Sequence, residues 1–182
     1  ATQRGENVAV CAIEGNFDDA QTQVKRIFAD AALRERLAEK NVVLSSANSI
    51  NVGRLVPQVT YYFDSYAQLV AAGKLKSGDA IDFCVPTGNF GDVLAGYYAK
   101  LMGLPVRKLI VASNANDVLT DFITTGTYDR RRPFHKTISP SMDILVSSNL
   151  ERLLFYLSDG DCELVSSLMK DLAEQGFYTV PE

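Results

Sequence analysis

The residues best suited to chemistry are Gly88-Asn89-Phe90-Gly91-Asp92. They follow the apolar run Ala80–Pro86 and open a stretch whose apolar positions are Val93, Leu94, Tyr97, Tyr98 and Leu101. Two glycines let a backbone turn sharply and approach an anion closely. A helix starting at that turn adds unpaired N–H groups and the positive end of its dipole. No Lys or Arg lies within the turn, so backbone donors would supply most of the binding, and the expected ligand group is a phosphate. The run is neither a G-x-G-x-x-G dinucleotide fingerprint nor a Walker loop, which needs Lys followed by Ser or Thr. A plain strand-to-helix turn, capped by Thr87 or Asn89, would leave the same trace. Any phosphate held here requires the Asp92 carboxylate to point away.

A second cluster is Ser45-Ser46-Ala47-Asn48-Ser49-Ile50-Asn51, in which five of seven residues carry small hydrogen-bonding side chains. Arg54 lies one turn further on. Asn48, Ser49, Asn51 and Arg54 are the candidate substrate-facing residues, because a guanidinium matches a phosphate or carboxylate in bidentate fashion. Ser and Asn also cap helices and build turns with no ligand present, which is the alternative reading of this cluster.

Other reactive side chains narrow the field. Cys11, Cys84 and Cys162 are far apart with no CxxC spacing, which argues against a disulfide framework or a zinc site and favours a reducing cytoplasm. Cys11 and Cys84 lie in apolar runs and are expected to be buried. The single histidine, His135, stands between Phe134 and Lys136, and a structural role is expected for it rather than that of a base. Arg130-Arg131-Arg132 is expected to be a solvated or salt-bridged surface. The net charge of −4 speaks against a nucleic-acid partner. The chain has 182 residues, 47% hydrophobic and 22% charged, which is globular composition. No apolar run approaches the roughly 20 residues of a membrane helix, so no membrane partner is expected. The start, Ala1–Glu6, lacks the apolar core of a secretion signal and an initiator Met, and the chain is expected to be cut from something longer.

These residues need a scaffold. Apolar runs predict strands near 7–13, 42–45, 80–85 and 107–112. Helices are expected from Asn16 or Phe17, with Asp18 and Asp19 in the first turn, and from Asp30 as a cap through Lys40. A longer one runs from Asn51 to Ala72 with Gly73 as its stop. Others lead from the Gly88–Asp92 turn to Leu101, from Asn114–Asp117 to Ile123, from Asn149 to Leu157 and from Glu163 to Gln175. Residues Gly126 to Pro140 form a loop of about 15 residues, a length usually functional or disordered. Alternating strands and helices imply one α/β domain over residues 1–182, with a three-layer, mostly parallel sheet and helices on both faces. Ligands in such sheets sit beyond the carboxyl ends of the strands. The loops there are Glu14–Asn16, Ser45–Asn51, Thr87–Asp92 and Ser113–Asp117.

Four longer strings carry a resemblance: residues 12–19 (Ala12 to Asp19), 46–51 (Ser46 to Asn51), 85–92 (Val85 to Asp92) and 139–144 (Ser139 to Ile144). With Asn114-Ala115-Asn116-Asp117 and Thr125-Gly126-Thr127-Tyr128, they resemble threonine synthase in order and spacing, over about residues 7 to 158. The resemblance implies a lyase of threonine biosynthesis that uses pyridoxal 5'-phosphate (PLP), with the fold of the tryptophan synthase β-chain group, PLP fold type II. It implies O-phosphohomoserine and water as substrates, and threonine and phosphate as products. It assigns Gly88, Asn89, Phe90, Gly91 and Asp92 to the PLP phosphate.

The chain departs from the family in one large respect. No segment of the type His-Gly-Pro-Thr-x-x-Phe-Lys-Asp, which carries the family's Schiff-base lysine, occurs in it. Lys25, Lys40, Lys74 and Lys100 fall on polar helix faces or in turns, not in the buried setting that suits a Schiff-base lysine. The chain is therefore expected to be the inactive central part of a longer threonine synthase. A stand-alone, non-catalytic domain binding a phosphorylated metabolite is the alternative.

Overall fold

The computed structural model of the chain describes residues 5–15, 17–49 and 51–181, with only the backbone of Phe17 and Asp18. Asn16 and Ile50, each placed above in an expected crevice loop, lie outside the described residues, as do the side-chain positions of Phe17 and Asp18. Contacts divide the chain into two compact units, Ala1–Ser45 and Ser46–Glu182.

The first unit holds helices α1 (Phe17–Ala29) and α2 (Ala31–Ala38). Asp30 caps α2 as expected, its carboxylate accepting from the Leu33 N–H at 2.9 Å. The two strands expected here are corrected. Among residues 7–13 only Val8 makes a bridge, to Gly5, and 42–45 carries no strand. Val10 is 63% exposed and Val43 87%. A strand is held by a ladder partner and a packed face, and the described residues offer these two runs neither. Cys11 is exposed for the same reason, not buried.

The second unit begins with α3 (Val52–Ala71), then β1 (Ile81–Pro86), α4 (Gly91–Leu101) and β2 (Val106–Ala112). The two strands pair in parallel, Phe83 beside Leu109 and Val85 beside Val111. Helix α4 buries Leu94, Ala95 and Ala99 against this sheet and α3. Gly96 permits the close approach: a Cβ there would lie 2.7 Å from the Tyr62 ring and 2.9 Å from Leu109 Cδ2. Tyr62 meets Phe83 edge-on at 4.9 Å.

The opposite face of β1 and β2 carries Cys84 and Ile110, which pair in register. Both are exposed, Ile110 by 46%. Among the described residues of this unit, helices therefore cover one face of this sheet rather than two, and Cys84 is corrected from buried to exposed. Alternation along the strand explains it, since Phe83 and Val85 point to the helices and Cys84 between them points away.

The chain continues through α5 (Val118–Thr125), β3 (Thr127–Asp129), a 3-10 turn at Pro140–Met142, α6 (Leu150–Leu157), α7 (Cys162–Glu174) and β4 (Phe177–Thr179). β3 and β4 pair antiparallel with Tyr128 opposite Tyr178. Those rings stack at 5.4 Å, and Phe122 meets both edge-on. The architecture is α/β, with one small parallel and one small antiparallel sheet. Among the described residues no helix is long and apolar enough to cross a membrane.

Candidate functional site

The turn Thr87–Phe90 joins β1 to α4 at the carboxyl end of the parallel sheet. Thr87 anchors it: its N–H donates to Ala112 O at 2.8 Å and its hydroxyl to Val85 O at 2.8 Å. Phe90 then takes φ +64°, the left-handed region, and is buried. A non-glycine residue there is uncommon and costly unless its surroundings hold it. The glycines on either side are needed for room. A Cβ at Gly88 would meet Ile144 Cδ1 at 3.0 Å and Ser141 O at 3.3 Å. One at Gly91 would meet Ser49 Cβ at 3.2 Å and Asn149 Nδ2 at 3.4 Å.

Residues that the sequence reading missed control which way the turn faces. The Ser147 hydroxyl donates to Gly88 O. The Asn149 backbone N–H and its Nδ2 both donate to Asn89 O, at 3.1 and 3.0 Å. Asn149 is fully buried. The carbonyls of the turn are thus held by residues 147–149. Among the described residues the N–H groups of 88–92 have no protein acceptor. The Asp92 carboxylate lies against α3, where the Tyr62 hydroxyl meets Asp92 Oδ1 at 3.3 Å and Asp92 O at 2.7 Å. Burial raises the pKa of Asp92, and the Tyr62 bond opposes that rise. Burial first, and the Asp92 carboxylate second, raise that of Tyr62.

Ser46–Asn51 lies alongside. Asn51 caps α3, accepting from Gly53 N–H at 2.8 Å and donating to Ser46 O at 2.6 Å, so both ends of its amide serve the loop. Arg54 is exposed and donates from Nη1 to Ala47 O at 3.0 Å. Ser49 stands against Gly91, and its carbonyl accepts from Arg152 Nη1 at 3.2 Å.

At the end of β2 the long loop is pinned rather than loose. Asp143, almost wholly buried, accepts from Thr137 N–H at 2.8 Å, Thr137 Oγ1 at 2.7 Å, Asn114 Nδ2 at 2.8 Å and Asn116 Nδ2 at 3.1 Å. The Thr137 N–H above all, with those side chains, holds its carboxyl below the usual carboxylate range against the effect of burial. Asn116 also bonds both the N–H and the carbonyl of His135, whose imidazole is exposed. Arg131 pairs with Asp129 at 2.7 Å, and Arg132 with Asp117 at 2.9 Å and Asp121 at 2.7 Å, a salt-bridged surface as expected.

Because the folded pKa of Asp143 is depressed, its contribution is complete above the unfolded value of about 3.9. It is lost as the pH falls through the lower folded value. Asp143→Asn, which turns an NH2 toward the donors, should speed amide hydrogen exchange at Thr137 and His135 roughly tenfold or more. Wild-type protection of these amides, measured against their intrinsic exchange rates, should likewise begin to fall as the pH drops below about 4. Unchanged protection in the variant would show that the loop is held otherwise.

No family profile matches the chain. It is 50% identical over 177 residues to threonine synthase-like 1 of Homo sapiens, covering 96% of this chain and 24% of that protein. It is 45% identical over 178 residues to threonine synthase of Pseudomonas aeruginosa, covering 98% of this chain and 36% of that one. Among solved structures, PLP-bound threonine synthase from Brucella melitensis matches with a TM-score of 0.77 and 46% identity, over 93% of this chain and 34% of that one. The fold is therefore that found in a PLP enzyme of fold type II. The chain belongs to the threonine synthase family, and it spans about a quarter to a third of the length of the relatives it matches.

Proposed function

We propose that this chain is the phosphate-holding central part of a threonine synthase that converts O-phosphohomoserine and water to threonine and phosphate. The observation that carries this is the turn at 88–92: the carbonyls of Gly88 and Asn89 are held by Ser147 and Asn149, and among the described residues the turn's amides have no protein acceptor. The residues present fit the PLP phosphate. Gly88, Asn89, Phe90, Gly91 and Asp92 would hold it through backbone N–H groups, with the dipole of the eleven-residue α4 behind them. The Asp92 charge, engaged by Tyr62, would not need to face it. Bound PLP would supply an electron sink for chemistry at the carbon bearing the amino group.

Asn48, Ser49 and Arg54 form the proposed substrate side, and Arg54 has guanidinium donors beyond the one given to Ala47 O. Asn51 contributes by fixing the loop. In the longer protein, the runs 7–13 and 42–45 are proposed to join a three-layer, mostly parallel sheet with helices on both faces, as parts of one domain. Three free, exposed thiols suit a cytoplasmic enzyme.

Inorganic phosphate titrated into the 15N-labelled chain should shift the amides of 88–92 together, with one dissociation constant. Amides that ignore phosphate would remove the cradle assignment. Mixed with PLP and O-phosphohomoserine, this chain should make no threonine, because no lysine of the expected segment is in it. Threonine formation abolished by a single Lys→Ala change would overturn that.

A further inference from the structure

We propose that Arg152 is a positioning residue that ties the Ser46–Ser49 loop to the glycine turn, so that the two walls of the site keep one geometry. This rests on the reading that these walls hold phosphate and substrate. Each carbonyl of the loop is taken. Ser46 O accepts from Asn51 Nδ2 at 2.6 Å, Ala47 O from Arg54 Nη1 at 3.0 Å and Asn48 O from Asn51 N–H at 3.0 Å. Those donors sit at the start of α3, next to the loop in sequence. The donor to Ser49 O comes from the first turn of α6, 103 residues away.

The same Nη1 also donates to Asn149 Oδ1, and Asn149 Nδ2 donates to Asn89 O at 3.0 Å. A continuous path thus runs from Ser49 O through Arg152 and Asn149 to Asn89 O. The two walls meet at Gly91, beside both Ser49 Cβ and Asn149 Nδ2. A charged donor on neutral carbonyl oxygens makes the stronger class of hydrogen bond. Arg152 is half-buried, which shields those bonds from water. A lysine would keep the charge without the planar guanidinium that fixes the two N–H directions of Nη1.

The test is 15N relaxation and phosphate titration on the chain and its Arg152→Met and Arg152→Lys variants. In Arg152→Met, residues 46–49 should become mobile while α3 and α4 relax as in wild type. The dissociation constant for phosphate read at 88–92 should rise about tenfold. Arg152→Lys should fall between. Wild-type rigidity of 46–49 in Arg152→Met overturns the proposal, and so does loosening spread evenly over residues 46–182, which would mark a merely structural residue. If Arg152→Met does not fold, Arg152→Lys decides: mobility confined to 46–49 supports the proposal, and wild-type rigidity overturns it. If the wild-type amides ignore phosphate, the cradle reading fails alone, and the relaxation data still decide the role of Arg152.

Discussion

Gly91→Val is expected to abolish the phosphate response of residues 88–92 and to cost the Ser46–Glu182 unit about 1–3 kcal/mol, the usual penalty for overpacking. Backbone strain at 91 is not the cause, because the left-handed residue is Phe90. The cause is space. A Cβ at 91 already meets Ser49 Cβ at 3.2 Å, Asn149 Nδ2 at 3.4 Å and Gln58 Oε1 at 3.8 Å. A single methyl can be accommodated if those neighbours yield a few tenths of an ångström, so Gly91→Ala should be mild. The two γ-methyls of valine would force Ser49 and Asn149 apart, pulling the turn off its anchor. In a full-length threonine synthase carrying this segment, the same change should empty the enzyme of PLP on gel filtration. A Gly91→Val chain that answers phosphate with wild-type affinity would refute the cradle.

Asn149→Ala should lower stability by about 2–3 kcal/mol, seen as a lower urea midpoint with an unchanged slope. Asn149 is fully buried. Its amide serves Asn89 O and Arg152 at once, so truncation leaves a half-buried guanidinium short of one acceptor and a carbonyl short of one donor. The backbone N–H still reaches Asn89 O, which is why the turn should weaken rather than collapse. Asn149→Asp should be no milder, because its carboxylate would face the Asn89 carbonyl. A loss below about 0.5 kcal/mol would be the value of an ordinary surface change and would rule out the anchoring role.

The glycine turn was legible because its signal is local: an apolar strand, two glycines and a helix start, all within residues 81–101. Asp30, Asn51 and Gly73 were legible as helix ends for the same reason. What faces the turn was not. Ser147 and Asn149 read as an ordinary helix start, and their bonds span 59 and 60 residues of sequence. Gly91 was expected to serve a sharp turn and close approach to an anion, but the requirement the structure shows is space beside Ser49 and Asn149, which no local pattern announces. The β3–β4 pair was missed because Thr127–Asp129 and Phe177–Thr179 are three residues each, too short to show alternation. The runs 7–13 and 42–45 failed in the other direction. Their composition fits a strand, but β-structure depends on partners, and the described residues provide none for them.

The β3–β4 ladder also bears on the order in which the chain assembles. Thr127 Oγ1 meets Thr179 Oγ1 at 2.9 Å across 52 residues, so no tight turn brings these strands together. Closing so long a segment carries an entropic cost before any contact rewards it. Helices α6 and α7 shorten the path once they form, which places docking of Phe177–Thr179 late. Tyr178 is then the closing piece of the aromatic trio with Phe122 and Tyr128. Interactions made after the folding barrier act mainly on the unfolding rate. Tyr178→Ala should therefore leave refolding nearly as fast as before and shorten the lifetime of the folded state.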